Sequence, residues 1–345
     1  LWLDGSDMDQ NEAAATTGMG GGIYAVAGEV VLDGNAWVYN GDAYDGAGIY
    51  ADGASLTLMN GHVGGNDAIH DGGGLYLTNS SVMTGTDFAL IGRDGYPNTA
   101  RYGGGAYLDG SRLTFAGSIA ENTASERGGG IAALGASDLM IAGAVLQENT
   151  AVSYGGGIYA QDSTLNVHHT HMHRNVGTRG GAVFQGGSSA TADLSNTLIY
   201  SNTSTSGFGA GIRAEGGSVT MTHMTLAHNV NGAGYSQSST EGLALNSVAW
   251  GNDTGGFRVT SGNLTGVCSL DQTGEAGPNL DPLFAFPGEG EDYHLDWGSP
   301  AIDRCPTGLP DDIDAELRPY GAGYDAGAFE FPSKTVYLPL VQRNN

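Results

Sequence analysis

Gly155-Gly156-Gly157-Ile158-Tyr159 is one of eight copies of a single phrase, and that repetition decides the fold. The others are Gly21-Gly22-Ile23-Tyr24, Gly46-Ala47-Gly48-Ile49-Tyr50, Gly72-Gly73-Gly74-Leu75-Tyr76 and Gly103-Gly104-Gly105-Ala106-Tyr107, then Gly128-Gly129-Gly130-Ile131, Gly180-Gly181-Ala182-Val183 and Gly209-Ala210-Gly211-Ile212. Their last glycines fall at 22, 48, 74, 105, 130, 157, 181 and 211, so the period is 24 to 31 residues. A second marker keeps the same phase. Blocks of 11 residues with apolar residues at alternating positions close on asparagine: Val30 to Asn40, Leu56 to Asn66, Leu139 to Asn149, Leu165 to Asn175, Ala192 to Asn202, Val219 to Asn229 and Gly242 to Asn252. Asn122 closes a similar block. In four cases the asparagine stands eight residues before the last glycine of the next phrase. Self-similarity at such a period marks a solenoid.

Leucine is too sparse for leucine-rich repeats. Glycine triplets, Thr, Val and Tyr are poor helix residues, and the local apolar period is two, not 3.6. A hexapeptide helix would give multiples of six. What remains is an all-β parallel β-helix with three short strands per coil. Successive coils then stack about 4.8 Å apart, so each residue lies above its equivalent one coil later. Inward Ile, Leu and Val form aliphatic ladders, and asparagines at equivalent corners can bond to one another through their amides. Asn60, Asn196 and Asn246 mark a second, mid-block corner, where other coils place Gly34, Gly143, His169 and His223. Roughly nine to eleven coils would make a rod about 45 to 50 Å long.

Composition agrees. The 345 residues include 60 Gly and only 10 Pro, and 37 Asp+Glu outweigh 12 Lys+Arg for a net charge of −25. With 40% hydrophobic residues the chain has a core to bury. The acidity excludes a nucleic-acid partner, whose phosphates need a basic footprint. No apolar run approaches a transmembrane segment. The opening Leu1-Trp2-Leu3 lacks a start methionine and a basic leader, as expected of a processed segment.

The glycine phrase followed by a short motif ending in Asn, best seen at Gly180-Gly181-Ala182-Val183 and Leu146-Gln147-Glu148-Asn149, resembles the repeats of the chlamydial polymorphic outer-membrane proteins. That resemblance implies a right-handed helix and an adhesive role. Toward the C-terminus Asp281-Pro282-Leu283-Phe284, Asp292-Tyr293-His294-Leu295 and Gly298-Ser299-Pro300-Ala301-Ile302-Asp303 occur in order. Asp312-Ile313-Asp314, Arg318-Pro319 and Tyr324-Asp325-Ala326-Gly327-Ala328-Phe329-Glu330 follow. This series, over about residues 279 to 331, is similar to the choice-of-anchor Q domain family of bacterial secreted β-helix proteins. It implies a secreted or cell-surface bacterial protein and no reaction. The domains expected are residues 1–266 as β-helix repeats, 267–332 as an irregular C-terminal cap, and 333–345 as an apolar tail around Tyr337–Val341. Cys268 and Cys305, 37 residues apart, are the only cysteines. In a chain with exterior features they favour one disulfide closing the cap, worth roughly 3 to 4 kcal/mol in the chain-entropy model; two unrelated thiols are the alternative.

Chemistry is harder to find. His169, His171 and His173 could share a strand face and converge on a metal, but the repeat places a corner at His169. Lys334 is the sole lysine, and Arg93, Arg101, Arg127, Arg174, Arg179 and Arg213 are scattered along loop positions. Asp45 and Asp71 precede glycine phrases on adjacent coils, about 5 Å apart at the coil spacing. That geometry suits a retaining pair or a Ca²⁺ site, and equally a solvated surface. Asp311-Asp312-Ile313-Asp314 is a further Ca²⁺ candidate by charge density. Tyr24, Tyr50, Tyr76, Tyr107 and Tyr159 follow inward residues and should form an outward stripe, either stacking on one another or meeting a glycan or protein. No catalytic, cofactor-binding or metal residue is assigned, and Ca²⁺ is the one cofactor kept in view. The expectation is a non-catalytic extracellular structural or adhesive protein, with end-to-end homo-oligomerisation into a filament and a surface glycan or protein as partner. A polysaccharide lyase or glycoside hydrolase, and a glycan-binding module, are the alternatives.

Overall fold

A computed structural model describes residues 1–14, 16–91, 96–288 and 291–331. The segment 333–345, with Arg93 and Lys334, lies outside them. The glycine phrases stack as expected. Ile23 pairs in register with Ile49, then Leu75, Ala106, Ile131, Ile158, Val183, Ile212, Tyr235 and Phe257, giving a ten-stranded parallel sheet and ten coils. A representative coil runs Ile49–Asp52, Ser55–Met59, His62–Gly64 and Asp67–Ala68. The two middle pieces belong to one 18-stranded sheet and elsewhere fuse, as in Thr191–Tyr200 and Ser218–Ala227, so each coil has three faces. The third face is a seven-stranded sheet. Among the described residues no helix is long and apolar enough to cross a membrane.

Alternation drives the burial. Leu56, Met83, Leu113, Leu139 and Leu165 pair in sequence and are buried, while their neighbours Thr57, Thr84, Thr114, Met140 and Asn166 face outward. The first glycine of the phrase at Gly155 adopts φ +64°. A Cβ on the second, Gly156, would stand 2.4 Å from the Gly181 carbonyl oxygen, so side chains there would push the coils apart. The column's final position, Gly157, is filled one coil later by Ala182, not by Gly181 as the spacing suggests.

The corner asparagines form a continuous buried ladder. Asn66, Asn98, Asn122, Asn149, Asn175, Asn202, Asn229 and Asn252 follow one another, each amide donating to the next side-chain oxygen at 2.7 to 3.0 Å. The same Nδ2 reaches a carbonyl of the coil below, for instance Leu146 from Asn175 at 2.9 Å. Gly41 N–H donates to Asn66 at one end, and at the other the Asn252 N–H donates to the Gln272 side chain. Asn40 is not a rung. Val30 pairs with Leu56 but Trp37 with His62, so the corner between them holds one residue more than its counterpart. That extra residue moves Asn40 to the surface, where it bonds to Asp9, and leaves Gly41 in the ladder position.

The second corner is left-handed at Asn60, Gly143, His169, Asn196, His223 and Asn246 (φ 42° to 60°). Its side chains do not stack as an amide column. Asn196 meets His169 and Asn246 meets His223, and both asparagines also donate to the C-terminal segment, at Asp311 and Thr307. That segment lies along the side of the rod. Residues 270–278 close the last coil, with buried Asp271 accepting the N–H groups of Phe257, Thr273, Glu275 and Ala276. From there the chain runs back over outward-facing Leu198, Tyr200, Ala227, Val248 and Leu270, covering them with Tyr293, Ile313, Phe329, Leu295 and Ala326. An apolar outer face on these coils is what makes a flank necessary.

The motif residues of the C-terminal series hold this flank together. Asp312 accepts N–H groups of Asp314, Glu316 and Glu330, and Asp325 those of Asp303 and Phe331. Arg318 lies 3.2 Å from Glu330 with both side chains buried, and donates to Asn196 and the Gly327 carbonyl. Cys268 and Cys305 are brought together here but are free thiols, not a disulfide: the Cys305 Sγ lies 3.5 Å from the Cys268 carbonyl oxygen. Burial pushes the Cys305 thiol up.

His223 makes the flank acid-sensitive. It is buried, accepts from Asn246 Nδ2 and the Leu309 N–H, and burial together with Arg318 pulls it down to about 3. A neutral histidine in the fold contributes stability that is complete above its ordinary 6.5 and withdrawn as the pH falls toward about 3. Asp325, raised by burial to about 6, works in the opposite sense, since its protonation on acidification relieves the fold. The melting temperature of the native chain therefore falls more between pH 7.5 and 4.5 than that of His223→Gln, which keeps an acceptor and cannot titrate. Parallel pH curves would refute this.

Candidate functional site

The residue just before each glycine run (Gly20 opens the first) forms a column: Met19, Asp45, Asp71, Tyr102, Arg127, Tyr154, Arg179 and Phe208. Beside it runs the tyrosine column, Tyr24, Tyr50, Tyr76, Tyr107, Ala132, Tyr159, Phe184 and Arg213. The tyrosines stack on one another, with ring centroids 5.4 Å (Tyr24–Tyr50), 4.8 Å (Tyr50–Tyr76) and 4.8 Å (Tyr76–Tyr107) apart. Stacking buries Tyr50, Tyr107 and Tyr159, and desolvation raises the hydroxyls of Tyr76 and Tyr107. Of the two roles open to the stripe, the geometry shows mutual stacking; Tyr24, at 56% exposure, is the ring left open.

Where the aromatic rungs thin out, arginines fill in. Arg127 lies 5.2 to 5.4 Å from the rings of Tyr102, Tyr154 and Tyr159 and donates to the Tyr159 hydroxyl. Arg179 sits between Tyr154 and Phe208 and pairs with Glu215, which Arg213 also contacts. Of the arginines that looked scattered, Arg101, Arg127, Arg179 and Arg213 are therefore aligned on one face, because each precedes or enters the same strand, whereas Arg174 pairs with Glu148 and with Glu291 of the flank. The signal was present: Arg127-Gly128 and Arg179-Gly180 occupy the phase of Asp45-Gly46 and Asp71-Gly72.

At one end of this column stands the densest polar cluster. His70 Nδ1 is 2.9 Å from Asp45 Oδ1 and 3.3 Å from Asp71 Oδ2. Arg101 donates from Nε and Nη2 to both oxygens of Asp71, at 3.1 and 2.9 Å, and the Tyr102 N–H adds a third bond. The Asp71 N–H donates to Asp45 Oδ1. Both carboxylates are buried, His70 is partly exposed, and its ring stacks on Tyr44 at 4.9 Å. Local chain length explains how His70 arrives: two residues separate Ala68 from Asp71, against one between Ala43 and Asp45 and one between Ala100 and Tyr102. Ile69 bulges to 61% exposure, and His70 takes the place over Tyr44. An open trough of about 510 Å³ runs alongside, lined by Asp67, Ile69, Thr99, Arg101, Thr123 and Val152 among others.

Other candidates fare differently. His169 turns to the corner, His171 faces the flank, and His173 stacks on Tyr200 at 4.8 Å, with burial lowering His171 and His173; they do not converge. Asp312 spends its oxygens on backbone N–H groups, and Asp314 pairs with His294, which also bonds Asp292. His294, Asp312 and Asp314 line a cavity of about 290 Å³ with Glu316, Tyr320 and Glu330.

Residues 104–267 match the family described as the right handed beta helix region. No curated protein matches the sequence. Among solved structures, the crystal structure of pectate lyase Pel9A is similar at a TM-score of 0.43 and 14% identity, over 95% of this chain and 87% of that one. The chain is a right-handed parallel β-helix repeat protein.

Proposed function

We propose that the chain is a non-catalytic structural and adhesive rod of the bacterial cell exterior. What carries this reading is that its aligned charged and aromatic side chains are engaged by one another. Arg101 neutralises Asp71, Arg127 lies among three tyrosines, and Asp312, Asp325 and Glu330 are satisfied by backbone N–H groups and Arg318. Such ladders stiffen a rod and leave its long side faces for contact with a glycan or protein. End-to-end assembly belongs to the same proposal: negative-stain particles longer than one rod support it, and monomers at every concentration remove it. The decisive test incubates the protein with uronate-containing and neutral polysaccharides, with and without Ca²⁺. Binding without new reducing ends or unsaturated products is expected, and sustained turnover would overturn the reading.

One observation favours a second reading, a uronate-glycan lyase. Asp45 holds His70 by Nδ1, which leaves Nε2 as the other nitrogen of a partly exposed ring, and Arg101, which shares Asp71 with this histidine, lines the trough. In a β-elimination Nε2 would take the proton next to the uronate carboxylate. The electron pair left behind forms the double bond, and the glycosidic oxygen departs and is protonated. Turnover lost in His70→Ala would establish it.

A further inference from the structure

We propose that Asp45, His70 and Asp71 bind a divalent transition-metal ion of the zinc class. This does not rest on the function proposed above. One ligand atom from each of the three lies within 4.8 Å of the others. Two of the separations are 2.9 and 3.3 Å, from His70 Nδ1 to Asp45 Oδ1 and Asp71 Oδ2. Four ligands at about 2.0–2.2 Å from zinc stand about 3.3–3.5 Å apart, so the cluster needs little movement to close on an ion.

The electron count also works. Asp71 Oδ1 already accepts Arg101 Nε and the Tyr102 N–H, but Oδ2 accepts only Arg101 Nη2 and keeps a lone pair on the side facing His70. Asp45 Oδ1 takes the Asp71 N–H and the Nδ1 contact. One Nδ1 thus faces two buried carboxylates. The ion takes the position that the Nδ1 proton occupies, and the imidazole passes to its Nε2–H tautomer, which turns an Nδ1 lone pair toward the cation. Arg101 offsets one carboxylate charge, and the other remains for the cation.

The surroundings hold the three groups as a metal site requires. Backbone N–H groups fix both carboxylates, Tyr44 fixes the imidazole plane, and Arg101 orients Asp71 from behind. His70 is the exposed member, so the fourth position opens to water. One imidazole with two carboxylates suits zinc, cobalt or manganese better than Ca²⁺, which takes six to eight oxygens. Among the described residues the site occurs once, because the column continues as Met19 on one side and Tyr102 on the other.

The test strips the full chain with a chelator and titrates Zn²⁺, Co²⁺ and Ca²⁺ by calorimetry. One equivalent of Zn²⁺ is expected, with Co²⁺ giving a visible tetrahedral spectrum. His70→Ala and Asp71→Asn should each weaken Zn²⁺ by about tenfold or more. Because Asp71→Asn also loosens Arg101, His70→Gln serves as the variant whose metal-free melting matches the native chain. His173→Ala, on the flank side, should leave the stoichiometry unchanged. Zn²⁺ binding that survives His70→Ala and His70→Gln, a preference for Ca²⁺, or no heat at all would each overturn the assignment.

Discussion

Replacing Asn175 by alanine lowers stability by about 3 to 5 kcal/mol, while Asn40→Ala changes it by less than about 0.5 kcal/mol. Asn175 sits mid-ladder with no exposure. Its Nδ2 donates to Asn202 Oδ1 and the Leu146 carbonyl, and its Oδ1 receives both the backbone N–H and the Nδ2 of Asn149. Alanine removes these bonds and strands two donors of Asn149 in a dry interior, each costing about 1–3 kcal/mol. Coils on either side lose the rung that sets their spacing, so the cost is shared by neighbours. Asn40, at the surface with Asp9, has water as a substitute. Urea midpoints of the two variants give the comparison; equal shifts would show that the ladder contributes no more than a surface amide.

Arg318→Met releases the flank at a cost of about 3–5 kcal/mol, the usual penalty for removing one member of a buried ion pair. The guanidinium is wholly buried and faces Glu330, whose carboxyl burial pushes up, with Asp312 and Asp325 close by. Methionine fills much of the volume but leaves Glu330 uncompensated and the Asn196 side chain and Gly327 carbonyl without their donor. Arg112→Met is the control: its pair with Asp138 is exposed and worth at most about 1 kcal/mol. The readout is the reactivity of the Cys305 thiol, buried at 1% exposure, toward a thiol reagent, together with proteolysis within 279–331. Faster labelling in Arg318→Met, with Arg112→Met like the native chain, is expected. Native-like protection in Arg318→Met would mean that apolar contacts alone hold the flank.

Much of the rod was legible because one rule is applied ten times. The glycine phrase and the closing asparagine recur at a spacing that only stacked coils satisfy, and seven of the eight predicted corner asparagines are rungs. Asn98 escaped because the segment before it disrupts the 11-residue block, although Asn98-Thr99 repeats the Asn-Thr of 122–123, 149–150 and 202–203. Asn40 was misread for the complementary reason: spacing counts residues, whereas the ladder counts positions in space, and one added corner residue separates the two.

The site was legible only in part. Asp45 and Asp71 could be paired from phase, but His70 and Arg101 could not, because the Ile69 bulge that seats His70 leaves no mark on the repeat. Periodicity by itself determined the architecture, the inward ladders and the tyrosine stripe, since a residue's equivalents one coil away are set by chain count. Tertiary structure alone decided what the flank covers and that the two thiols meet unbonded. Those contacts join residues with no common phase, such as Asn196 with Arg318, and depend on which faces remain apolar after the coils have formed.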